Sequence, residues 1–151
     1  MADDWAKATA KKVESRVAEE ADRAATTRKR FDDGIERFRK QTLDLVAAIN
    51  ASIASEAHRI QTIALDDGII LAAAYKRIVT VERMGRVEDV PASVGRIGLH
   101  REDRKATAPL EPEELYVTSS GTQTTFYRRV GSQLKIFGEA EFKQIIEYFA
   151  S

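Results

Sequence analysis

With 151 residues the chain has room for one ordinary domain, or a smaller domain with an appendage, and not for two full cores. Its 24 basic and 24 acidic residues cancel, so no global field draws it to nucleic acid, anionic lipid or acidic substrates, and its ordinary apolar content excludes wholesale disorder. Cysteine is absent, which removes disulfides, thiolate metal sites and cysteine nucleophiles and suits a reducing compartment.

The N-terminus, Met1-Ala2-Asp3-Asp4-Trp5, is acidic where a secretory leader would be basic and then apolar, and no apolar run is long enough to span a bilayer. The expected location is therefore the cytoplasm, without a membrane anchor.

From Val13 to Ile63 apolar or small residues recur three, four or seven positions apart: Val13, Val17, Ala24, Phe31, Ile35, Phe38, Thr42, Leu45, Ile49, Ile53, Ala57, Ile60 and Ile63. At about 100° per residue they fall on one stripe of an amphipathic helix. No proline occurs before Pro91, so propensity agrees with periodicity. From Phe31 to Ile49 the spacings alternate between four and three, a coiled-coil rhythm that becomes irregular beyond Ile49. Before Phe31 the stripe thins at Glu20 and at Thr27-Arg28. Asp33-Gly34 is the expected kink or hairpin, since Gly costs about 1 kcal/mol against Ala within a helix.

About 60 helical residues would run roughly 90 Å, whereas the remaining 85 or so have a radius of gyration near about 12 Å. The stripe must fold back near Gly34, pair with another chain or stay exposed, the ordinary alternative being a helix simply packed on its own domain. The reading adopted is self-association or partner binding through Phe31, Ile35, Phe38, Leu45, Ile49, Ile53 and Ile60, with residues 1–64 as the helical segment and 65–151 as a β-rich domain.

Asp66-Asp67-Gly68 either caps the helix or turns a hairpin between Ile60–Leu65 and Ile69–Tyr75. Arg77–Arg83 is β-branched and reads as a strand, Gly85–Gly95 as a loop around Pro91, and Ile97–His100 as a short strand weakened by Gly98. Pro109 and Pro112 mark an extended crossing. Leu115–Thr118 and Thr122–Val130 flank a Ser119-Ser120-Gly121 turn, and Gly131-Ser132 leads into Gln133–Phe137. Neighbouring strands of this kind form an antiparallel meander. After Gly138, Phe142, Ile145, Ile146 and Phe149 lie on one helical face that must cover the sheet. The predicted class is α+β: a long N-terminal helix, about four to six antiparallel strands, and a C-terminal helix packed on them.

Chemistry is less legible. His58 and His100 are the only histidines and neither has a partner at metal-ligand spacing, so no metal or other cofactor is expected. The carboxylates at Asp66-Asp67 and at Glu111, Glu113 and Glu114 are explained by turn and loop chemistry, and the hydroxyl run from Thr118 to Thr125 lacks a P-loop lysine and a nucleophile elbow. No pattern assigns catalysis. A second reading is a small-ligand-binding domain or small enzyme with a pocket between sheet and helices, for which His100, Glu102, Tyr116 and Tyr127 are the candidates. A third is nucleic-acid binding through Arg28-Lys29-Arg30, Arg37, Arg39-Lys40 and Arg128-Arg129. The interspersed Asp32, Asp33 and Glu36 argue against it.

Overall fold

Helix α1 runs unbroken from Ala2 to Ala51 in the computed structural model, which describes residues 2–105, 110–120 and 122–150. Neither a turn nor a hairpin forms at Gly34. A Cβ built there would lie 2.6 Å from Val117 Cγ1, so the glycine lets the helix axis approach the sheet. Opposite it, Gly95 leaves room for the Phe31 ring, whose edge would stand 2.4 Å from an added Cβ. The Asp-Gly pair is a packing contact within a continuous helix.

Gly34→Ala therefore sets helix propensity, worth about 1 kcal/mol in favour of alanine, against overpacking that costs about 1–3 kcal/mol. The expected result is a net loss of stability by denaturant unfolding. A stabilised variant would show that the helix does not press on Val117.

Past Ala51 the chain turns through Glu56–His58, a single 3-10 turn, into β1 (Gln61–Leu65). The Asn50 side chain ties this return, donating from Nδ2 to the Ile60 carbonyl at 2.9 Å and accepting the Ile60 N–H at Oδ1 at 2.8 Å. The hairpin reading of Asp66-Asp67-Gly68 holds: a two-residue turn joins β1 to β2 (Gly68–Ala73). Ile53 and Ile60, expected on the helix, lie beyond its end, because the chain must reverse to pair Gln61 with Ala72.

The sheet continues through β3 (Lys76–Met84), β4 (Ser93–Asp103), β5 (Glu113–Ser119), β6 (Thr124–Val130) and β7 (Gln133–Ile136). All neighbours are antiparallel and the strand order is the chain order, so the sheet is a seven-stranded meander, one strand beyond the expected range. The difference arises at β1, which continues the helical spacing in sequence and pairs only through the hairpin. β4 is also longer than its apolar core suggests: Ser93 and Gly95, expected in a loop, pair with Thr118 and Val117 around an irregularity in the ladder. Pro109 of the expected crossing and Gly121 of the expected turn lie outside the described residues.

One sheet face carries Ile78 and Thr80 of β3, Ile97 and Leu99 of β4, and Leu115 and Val117 of β5, all buried. The second half of α1 covers it with Ile35, Phe38 and Val46. Helix α2 (Glu139–Glu147) adds Phe142, Ile145 and Ile146 as its periodicity requires, and its start is held by the Gly138 N–H donating to Glu141 Oε2 at 2.9 Å. At its far end the ammonium of Lys76 donates to the Tyr148 carbonyl at 2.9 Å, a cation where helix carbonyls end.

Candidate functional site

The stripe divides at Phe31. Ile35, Phe38 and Ile60 are buried in the core of their own chain, Phe31 and Leu45 pack against that core, Ile53 is half-buried beyond the helix, and Ile49 is 37% exposed at its edge. Of the seven residues expected at a partner, six are thus wholly or partly covered by the same molecule.

The uncovered part lies earlier. Every residue from Ala2 to Arg30 is exposed except the half-buried Thr27, with Trp5 at 72%, Val13 at 45% and Val17 at 57%. A helix of this length measures about 75 Å at 1.5 Å per residue, while the longest strand spans about 37 Å and seven strands are about 29 Å across. The sheet can shelter only the second half, and roughly 43 Å of helix projects as an arm.

On that arm Ala6, Ala10, Val13, Val17, Glu20, Ala24, Thr27 and Phe31 are spaced alternately four and three apart, a heptad seam that runs into the core stripe. The seam is small-sided. Arg16, Arg23 and Arg30 flank it along one side at seven-residue intervals.

The second candidate set lies on the opposite side of the sheet from the one expected. Register and strand alternation put His100, Glu102, Tyr116 and Tyr127 on the face that no helix covers, so they do not line a pocket between sheet and helices. The reason is parity: Leu99 and Leu115 face the helices, and their neighbours His100 and Tyr116 must face away. Tyr116 and Tyr127 are directly paired across β5 and β6. Glu102 is held by Arg77, whose Nε donates at 2.7 Å.

Of the four, only His100 borders the hollow on this face, about 260 Å³, beside Val81, Arg83, Arg96 and Glu114. Arg96 and Glu114 pair across it at 3.3 Å. At the β6 end of the face Arg129 stacks 5.6 Å from the Tyr116 ring centre and holds Asp89 at 2.7 Å, keeping that carboxyl below its ordinary range. Arg77–Glu102, Arg96–Glu114 and Arg129–Asp89 are ion-paired on this face, while His100 and Arg83 border the hollow.

A larger cleft, about 870 Å³, lies between α1 and the β1–β2 hairpin. Its floor holds a feature absent from the sequence reading. Arg39 Nε and Nη2 donate to Glu82 Oε1 and Oε2 at 2.7 and 2.8 Å, and Nη2 also reaches the carbonyls of Leu65 and Gly68 at 3.1 and 3.3 Å. The Glu82 side chain is only 4% exposed. Burial raises its pKa above the ordinary carboxylate range even though Arg39 opposes the shift. The signal was present: Glu82 is in phase with Lys76, Ile78 and Thr80 on the inward parity of β3.

Among the described residues no group of three His, Asp or Glu side chains is placed to hold a metal ion, and no helix is long and apolar enough to cross a membrane. No protein-family profile, curated protein or solved structure matches this chain.

Proposed function

We propose that this protein is a non-enzymatic interaction module whose helical arm, residues 2–30, docks a helix of another polypeptide, with the sheet domain as its base. One observation carries the reading: the heptad seam of α1 continues for about 43 Å beyond the sheet with none of the other described residues packed upon it. An exposed helical arm whose seam is mostly small residues, interrupted by Glu20, gains little stability alone, so a partner supplies the packing.

The chemistry of the seam describes the partner. Ala6, Ala10, Val13, Val17 and Ala24 leave shallow holes that larger residues such as leucine fill, since facing layers pack best when large opposes small. Self-pairing is disfavoured by charge. An antiparallel copy would set the Arg16, Arg23 and Arg30 side against itself, and a parallel copy would set Arg23 against Arg28. The arm therefore fits an amphipathic helix with bulky apolar seam positions and acidic flanks. A cysteine-free chain of this kind works in the cytoplasm on this reading.

Site-directed photo-crosslinking in cells tests the proposal. A photoreactive residue at Val13, Val17 or Ala24 is expected to give one discrete adduct, while the same group at Ser15 or Asp22, on the far side of the helix, gives none. Peptide mapping should place the adduct in a helix with the complementary pattern. Equal labelling from both sides, or no adduct from the seam, would end the reading, and an adduct of twice the chain mass would make the arm homotypic.

A further inference from the structure

We infer that the exposed edge of β1 is a self-complementary surface on which a second copy of this chain pairs antiparallel, about a two-fold axis at Ile63. The inference is independent of the arm. All five residues of β1 are exposed, and the strand, Gln61-Thr62-Ile63-Ala64-Leu65, carries neither a charge nor a proline. Natural edge strands are usually blunted by such residues or by brevity; the other edge, β7, has four residues and includes Lys135. An unguarded edge whose residues are all exposed is a template for another strand.

The register selects the occupant. Across the two-residue turn Leu65 pairs with Gly68, which makes Leu65, Ile63 and Gln61 the residues bonded to β2 and leaves the N–H and C=O groups of Thr62 and Ala64 directed outward. A second β1 with Thr62 opposite Ala64 satisfies all of these groups reciprocally. Ile63 then meets its own counterpart in a non-hydrogen-bonded pair, where side chains approach most closely.

Ile63, 52% exposed, ends a row formed with Ile70 and Val79 on the open face, so pairing creates an uninterrupted apolar row of six. Charge agrees with this register. It brings the Asp66-Asp67 tip of each chain beside the second copy's Arg59, whose Nε donates to the Ile53 carbonyl at 3.0 Å and whose Nη1 stands 4.0 Å from the exposed Glu56. Because the axis is perpendicular to the sheet, both α1 helices remain on one side and the two open faces join on the other.

A five-residue edge buries little area, so the dimer is a weak one, and sedimentation of the full-length chain over a concentration series is the suitable measurement. The wild type is expected to show a monomer–dimer equilibrium. Thr62→Pro removes an outward N–H without touching the β1–β2 ladder, and should weaken dimerisation at least about tenfold with unchanged circular dichroism. Arg59→Asp and Asp67→Arg should each weaken it and their combination restore it, which decides the matter even if the proline variant misfolds. Val17→Glu should leave it intact, separating this edge from the arm. A wild type monomeric at every concentration overturns the inference, as does a dimer that ignores both the proline and the charge reversals or that Val17→Glu abolishes.

Discussion

Phe142→Ala is expected to destabilise the protein by about 3–5 kcal/mol, the cost of deleting a buried aromatic side chain and leaving a cavity. Phe142 is 2% exposed and joins three elements: its ring centre lies 5.6 Å from Phe38 of α1, 5.6 Å from Phe126 of β6 and 4.9 Å from Phe137 after β7. Aromatic pairs of this kind add about 0.5–1.5 kcal/mol each beyond area burial, and the truncation removes three at once, edge-to-face with Phe126 and Phe137 and tilted with Phe38. Phe142→Leu keeps most of the volume and should cost far less. Denaturant unfolding of the two variants checks the difference, and equal midpoints would mean that α2 does not close the core. Phe38 belongs to the same cluster, so Phe38→Glu is expected to unfold the domain rather than separate subunits.

Arg39→Met is expected to cost a similar amount, about 3–5 kcal/mol at neutral pH, because it strands the Glu82 carboxylate without its bidentate partner. The pH dependence distinguishes this from a packing defect. Burial already holds the folded-state pKa of Glu82 above the ordinary carboxylate value, and removing Arg39 pushes it further up. A carboxyl raised in the folded state binds its proton more readily there than when unfolded. Stability is therefore lost as pH rises from the ordinary carboxylate range through the raised value, and regained as pH falls. The deficit of Arg39→Met should accordingly be greatest at neutral pH and shrink in mild acid, and adding Glu82→Gln should recover most of it. A deficit independent of pH would show that Arg39 acts through its contacts to Leu65 and Gly68 instead.

The two variants probe opposite kinds of legibility. Phe142, Ile145 and Ile146 announce themselves by helical spacing, and the element they form faces the sheet as that spacing requires. Arg39 and Glu82 are 43 residues apart, and nothing local connects them. Only the inward parity of Glu82 marks it as a buried charge, and its partner appears once α1 is laid across β3. The same parity moved His100, Glu102, Tyr116 and Tyr127 from a pocket between sheet and helices to the face opposite the helices: each was recognisable as a polar or aromatic strand residue, but the side it faces depends on registers set by neighbouring strands.

By itself, the sequence determined the class, the long helix, the meander and the closing helix, because these follow from periods of 3.6 and 2 and from turn residues acting within a few positions. It also established that the apolar stripe outruns any domain its own chain can build. Tertiary structure alone decided which half of that stripe is covered, because the match of Gly34 and Gly95 to Val117 and Phe31 seats the second half of α1 on the sheet and leaves the first half beyond its edge. It likewise decided that Gln61–Leu65 is a strand, since Asn50 and the pairing with β2 act across the chain's reversal, where local periodicity carries no information.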